Sequence, residues 1–332
     1  MMGVMSIQVI TPREVPLGGL RAMTVRRTLP SKGRSFVGAW CFVDHYGPDD
    51  VARTGGMDVA PHPHTGLQTV SWLFEGEIEH RDSGGVHGMV RPGEMNLMTA
   101  GHGIAHSEVS TAATGVLHGV QLWVALPAGD REAARDFQHY VPELVPLGGE
   151  LVQGGASGQA DASEVSGGTV RVFVGTLPGL EGASSPVRTA TPLLGAEITL
   201  EPGARWEFAT EDAYEHAVLV DQGTITLDGQ PLTRGELGVR DVGPQTMAIT
   251  VAEDSEPARL VLLGGEPFDE QIVMWWNFVG RSHEEIVEYR AAWQARSDRF
   301  GEVEGYVGEI DWIPAPELPN VRLRPRGRLG RL

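Results

Sequence analysis

Two short segments carry the side chains best suited to chemistry in this chain. His62-Pro63-His64 sets two imidazoles at positions i and i+2, and His106-Ser107-Glu108 repeats that spacing with an imidazole and a carboxylate. On a β-strand, side chains at i and i+2 leave the same face. If the two strands lie side by side in a barrel, three imidazole nitrogens and one carboxylate oxygen converge on one point. That donor set, His62, His64, His106 and Glu108, suits one divalent first-row metal ion. Four protein donors around an octahedral ion leave two positions open, the mark of a reactive centre rather than a closed structural one. The set is close to the 2-His-1-carboxylate arrangement of non-haem iron oxygenases with one imidazole added, so iron(II) is the first expectation. Manganese, nickel, cobalt and catalytic zinc satisfy the same donors.

Eight of the eleven histidines fall within residues 45–118. His80, His87, His102 and His118 lack a partner at ligand spacing and are expected on the surface or behind the ligands. His45, in FVDHYGP, is expected in a turn or in the core. The single cysteine, Cys41, excludes an intramolecular disulfide and a multi-cysteine zinc cage.

The elements that must position these groups are mostly strands. Glycine supplies 44 of 332 residues, well above the usual ~7%. The glycines punctuate runs such as TVSWLFEGEIEH, GVLHGVQLWVALPAG, TVRVFVGTL and HAVLVDQGTITLDGQPL. Short β-rich runs bounded by Gly, Pro or Asp at roughly 8–12-residue spacing indicate an all-β sandwich or barrel. Residues 147–168, rich in Gly, Ala and Ser, hold almost no large apolar groups and form a linker or long loop. The expected organisation is therefore a metal-binding β domain over 1–146, the linker, a second β domain over 169–266, and a C-terminal helix and tail over 267–332. GDREAARDF predicts a short helix over 129–137. Ser282-His283-Glu284-Glu285 fits a capping box, and Ile286, Tyr289 and Trp293 follow at helical spacing, which predicts a helix over 283–296.

Twenty-six basic against forty-four acidic side chains leave a net charge of −18. An acidic balance of this size argues against direct nucleic-acid binding, which requires a positive footprint. Arg322, Arg324, Arg326, Arg328 and Arg331 crowd the C-terminal end, and such a tail is expected to be solvated or to dock on an acidic surface. The N-terminal residues lack the pattern of a secretory leader, and no stretch approaches the ~20 apolar residues of a membrane span, so a cytoplasmic protein without membrane contact is expected.

These residues resemble a cupin. The first cupin motif, G-x5-H-x-H with a later glycine, matches Gly56, His62, His64 and Gly76, and the second is approximated by Pro92-Gly93 and His106. More closely, FVDHYGP (42–48), PHPHTGLQTVSWLFEGEIEHRDS (61–83), PGEMNLMTAGHGIAHSE (92–108), HGVQLWVALP (118–127) and GEPFDEQIVMWWNFVGRSHEEI (265–286) are similar to the pirin family, a bicupin group. The resemblance implies two jelly-roll barrels, the first holding the ion through His62, His64, His106 and Glu108, the second degenerate. Many cupins take their carboxylate from the first motif, where this chain has Gln68; the pirin pattern takes it from the second, where Glu108 stands. The resemblance further implies a dioxygenase of the quercetin 2,3-dioxygenase type, with a flavonol-like aromatic and O2 as substrates and Glu108 as the base for the flavonol hydroxyl. Trp72, Phe74 and Met98 are candidates for its apolar walls or for core packing. The other implied role is a metal-dependent, redox-sensing regulator that binds a transcription factor or a metabolic enzyme.

Overall fold

Alternation of apolar and polar residues sets the strand faces. In Arg205–Ala209, Trp206 and Phe208 are buried while Arg205 and Glu207 face solvent, as a period of two requires. In Ile78–Asp82 the buried positions are Ile78, His80 and Asp82, so the same rule carries two polar groups inward. The structure is a computed structural model that describes residues 6–16, 23–147, 167–243 and 245–329.

The described residues are all-β with two short helices, and the chain divides into two units. One comprises residues 13–141 and 267–332. Its seven-stranded sheet runs, in spatial order, Asp136–Tyr140, Met95–Thr99, Leu67–Glu75, Val116–Ala125, Trp40–Asp50, Thr24–Leu29 and Arg13–Pro16. A four-stranded sheet, Asp58–His64, Ile104–Ser110, Ile78–Asp82 and His87–Val90, completes the barrel. The other unit comprises the described part of 1–12 with 142–266 and repeats the seven-plus-four plan. Its larger sheet starts with Gln8–Ile10 on Leu237–Arg240, and Trp206, Phe208, Val218, Ile249 and Leu262 fill its core. Two barrels of this kind make the bicupin architecture that the sequence implies.

The partition of the termini differs from a simple N-to-C division. Gln8–Ile10 belongs to the second barrel, while the C-terminal segment packs on the first. Most of the Gly/Ala/Ser-rich stretch, residues 148–166, lies outside the described residues. Its two ends belong to the same unit: Val145 and Pro146 pair with Val170 and Thr169.

The predicted helix over 283–296 is observed as His283–Gln294, with Ser282 Oγ accepting from the Glu285 amide at 3.2 Å. Ile286, Tyr289 and Trp293 are buried against Phe278 and Phe300. The helix expected over 129–137 does not form. Residues 127–133 make turns in which Asp130 and Arg131 donate to the Pro127 carbonyl, and Asp136–Tyr140 is an edge strand on Met95–Thr99. A nine-residue helix is marginal by its own propensity, and the sheet edge offers the backbone of Asp136–Tyr140 partners along one side. Among the described residues no helix is long and apolar enough to cross a membrane.

Candidate metal centre

Antiparallel pairing of Asp58–His64 with Ile104–Ser110 places His62 directly opposite His106. His64 follows two positions on, from the same face. The ring centroids lie 4.3 Å apart for His62 and His106, 5.0 Å for His64 and His106, and 5.1 Å for His62 and His64. All three side chains are buried, and one ligand atom from each falls within 4.8 Å of the others. The two distant dyads therefore supply three imidazoles to one point.

Glu108 stands apart from that triad. A register shift between His106 and Glu108 puts Glu108 opposite Val59 rather than in step with the histidines. Such a bulge re-aims the side chains beyond it. Glu108 nevertheless lines the same cavity, where its Oε1 accepts from Ser71 Oγ at 3.4 Å. Burial raises its affinity for a proton, opposed by the Ser71 hydrogen bond.

Neighbouring groups decide which ring nitrogens face inward. Nδ1 of His62 lies 3.0 Å from the Ala60 carbonyl and Nδ1 of His64 lies 3.2 Å from the Asn277 carbonyl. A carbonyl only accepts, so both neutral rings carry the proton on Nδ1 and present a lone pair at Nε2. His106 is set through a longer chain. Asp82 Oδ2 lies 3.0 Å from His80 Nε2, and His80 Nδ1 lies 3.4 Å from His106 Nδ1. The carboxylate takes the Nε2–H of His80, which leaves His80 Nδ1 to accept from Nδ1–H of His106. The third Nε2 is then also a lone pair. Imidazole ligands in metal sites are held in the same way, by a partner on the remaining nitrogen.

The result is a cluster of acceptors with no donor. Nε2 of His64 and Nε2 of His106 are only 3.1 Å apart, a repulsive contact unless a cation lies between them. Protonation is a poor remedy at neutral pH: burial pushes His62 down to about 4 and holds His64 and His106 well below the usual imidazole range, with mutual repulsion adding to it. Neutral, convergent and tautomerically fixed, the three rings fit a divalent metal ion.

The cavity around them, about 350 Å³, belongs wholly to the first barrel and its C-terminal segment. Its aromatic walls are Phe42, Trp123 and Trp276. Phe42 and Trp123 stack at 4.0 Å with 10° between planes, and Trp123 meets His64 edge-on at 5.1 Å. Trp72 and Phe74 are not walls. In the strand Leu67–Glu75, Ser71 points to Glu108, so Trp72 and Phe74 leave the opposite face. Trp72 is core, and Phe74 packs on His118 at 5.1 Å. Met98 is buried without lining the cavity. Gln68 shares the Trp72 face and donates to Thr99 at 3.0 Å, so Gln121 and Asn277, not Gln68, line the cavity.

Three contributors escape a reading of the sequence alone. Asn277 orients His64 through a main-chain carbonyl, which leaves no trace in residue type. Trp276 occupies the two-residue turn between Val273–Trp275 and Phe278–Gly280 with a left-handed backbone, φ +52°. Arg27 enters the cavity wall from a strand that holds no ligand. Of the other histidines in this region, His80 sits behind the triad, His87 and His102 are exposed beside Glu79 and Glu132, and His45 is buried beside Arg26.

A pirin profile matches residues 22–124, and a profile of the pirin C-terminal cupin domain matches 195–301. A pirin-like protein of Caulobacter vibrioides is 35% identical, covering 88% of this chain and 94% of its own length. The chain belongs to the pirin family. Another relative, from Pseudomonas aeruginosa and provisionally named a quercetin 2,3-dioxygenase, is 37% identical over 94% of this chain and 91% of that protein. The crystal structure of a quercetin 2,3-dioxygenase from Acinetobacter baumannii superposes with a TM-score of 0.82 at 35% identity, covering 96% and 98% of the two chains. A bacterial pirin from Escherichia coli, solved with nickel(II), shares the pirin fold at TM-score 0.55 and 18% identity, over 79% of this chain and all of that one.

Proposed function

We propose that this pirin is a metal-dependent dioxygenase that opens a flavonol-like aromatic with O2. The observation that carries the proposal is the triad of His62, His64 and His106, whose three Nε2 lone pairs converge in a cavity walled by aromatic rings. These residues would hold the ion, with Glu108 as its fourth ligand or as a free base beside it. A divalent ion there, iron(II) first among the candidates, supplies Lewis acidity that acidifies a substrate hydroxyl and leaves positions open for reaction.

The protein's own groups account for the rest. The stacked column of Phe42 and Trp123 turns its ring edges toward the cavity and gives an aromatic substrate an apolar flank. Glu108, buried and with its proton affinity raised, accepts the proton that the hydroxyl releases. The Ser71 hydroxyl lies between two acceptors, 3.4 Å from Glu108 Oε1 and 3.0 Å from Gln121 Oε1, and its one proton can steady either. The buried surroundings keep water from competing for the base.

The test is direct. Purified protein loaded with iron(II) should consume O2 and bleach flavonol absorbance in step, and His62→Ala should do neither. Turnover by that variant at the wild-type rate would remove the triad from the mechanism, and a wild-type protein inert towards flavonols would overturn the substrate assignment.

A further inference from the structure

Arg27 combines two features rarely found together: it is committed to a buried carboxylate, and it still faces a cavity. Its Nε and Nη2 donate to Asp44 at 2.6 and 2.7 Å, a two-point fork on a carboxylate with no exposed surface. The Arg27 side chain keeps about a fifth of its surface open (21%) and lines the same cavity as the histidine triad. Among the described residues, its Nη1 has no hydrogen-bond partner. The carbon of the guanidinium lies 4.1 Å from the centre of the Phe42 ring. Phe42 stacks on Trp123, and Trp123 meets His64. One wall thus runs from a cation, along two stacked rings, to an imidazole of the triad.

The charge around that cation does not cancel. Arg13 pairs opposite Arg27 across neighbouring strands, and each cation feels the other and the shared Asp44. Arg13 donates its Nη1 to the Pro30 carbonyl at 2.7 Å, a neutral acceptor. Two cations around one carboxylate leave a local excess of one positive charge. Like charges directly across a strand pair are unfavourable, so an anion brought to Arg27 relieves repulsion as well as filling Nη1. Guanidinium suits this task because its donors are fixed in a plane and its charge persists at all working pH values.

We propose that Arg27 forms an anion subsite, and that the ligand of this cavity is a flat aromatic carrying an anionic oxygen, carboxylate or phenolate, at the end remote from the histidine triad. The inference deepens the reading of the cavity as a site for planar aromatics, since it names a substituent that such a ligand must carry. Asp44 is the positioning residue that holds the fork, and Arg27 is the group that touches the ligand.

The experiment compares two probes, 3-hydroxyflavone and its 4′-carboxylic acid, titrated into metal-loaded protein with quenching of tryptophan fluorescence as the readout. Wild-type protein should favour the acid about tenfold, the low end of what a charge-assisted hydrogen bond contributes. Arg27→Gln alone leaves Asp44 buried and unpaired, so the informative variant is the double exchange Arg27→Gln with Asp44→Asn, checked for folding by circular dichroism. There the preference should fall to within about twofold of unity, and Arg27→Lys should retain part of it. An equal affinity of wild type for the two probes, an undiminished preference in the double variant, or failure of both probes to bind would each overturn the subsite. A preference that holds while neither probe is ring-opened supports Arg27 and discards the oxygenase reading. Ring opening with no dependence on Arg27 does the reverse.

Discussion

Exchanging Asp82 for asparagine should weaken metal binding without disturbing the fold. Asp82 lies opposite His106 across the strand pair, but its side chain reaches that ring only through His80: its Oδ2 takes the proton of His80 Nε2, and His80 in turn accepts from His106. The other carboxylate oxygen accepts from the amides of Gly84 and Val86 at 2.8 and 3.2 Å. In Asp82→Asn the amide oxygen keeps those two bonds, and its NH2 then faces His80 Nε2. Donor against donor, His80 must switch its proton to Nδ1. That proton now points at Nδ1 of His106, which becomes an acceptor and carries its own proton on Nε2, where the metal belongs. Partners of metal-bound imidazoles contribute about 10–100-fold in affinity. The long His80–His106 contact of 3.4 Å places this one near the middle, about thirtyfold or ~2 kcal/mol. Competition between the protein and a chromogenic chelator, for nickel(II) and iron(II) separately, measures the change, and thermal melting of the metal-free protein checks the fold. A dissociation constant within twofold of wild type, with melting unchanged, would refute the proton assignment built from Asp82 through His106.

Further outcomes follow from other parts of the molecule. His216, buried in the second barrel, is pushed down to about 4, first by burial and then by Arg240. The unfolded chain therefore binds a proton near 6.5 that the fold refuses down to about 4; stability is full above that window, declines as pH falls through it, and loses about 3 kcal/mol by its lower end. His216→Gln should flatten this decline in an acid series of melting curves, and an unchanged slope would show that other groups govern it. Ser282→Ala removes the oxygen that accepts from Glu285 and should cost about 1 kcal/mol in denaturant unfolding. Phe278→Ala empties a fully buried site beside the helix and should cost about 3–5 kcal/mol. Because Phe278 follows the residue whose carbonyl orients His64, that variant should also bind metal more weakly than Ser282→Ala does.

Some of this is legible from one dimension. The capping box at Ser282 and the helical spacing of Ile286, Tyr289 and Trp293 are local signals, and the helix appears where they place it. GDREAARDF carries a local helix signal too, yet the unpaired edge of Met95–Thr99 claims Asp136–Tyr140 as a strand. Propensity loses there because backbone pairing along a sheet edge outweighs a few tenths of a kcal/mol per residue. The aromatic walls follow the same logic. Strand period two marks Ser71 and Trp72 as facing opposite ways, but only the contact of Ser71 with Glu108 tells which face is the cavity.

What the amino-acid order determined by itself is the supply of candidate ligands: two imidazoles on one strand face at His62 and His64, and a third at His106. Spacing along a strand is a property of the backbone, so it survives any arrangement of the sheets. What only the tertiary structure decided is where the lone pairs point and what surrounds them. The register of two strands set His62 against His106, a bulge moved Glu108 out of step, and a carbonyl at residue 277 and a carboxylate at Asp82 chose the tautomers. Those choices depend on atoms brought together across as many as 213 positions of chain, and such meetings are settled by packing, not by neighbours in sequence.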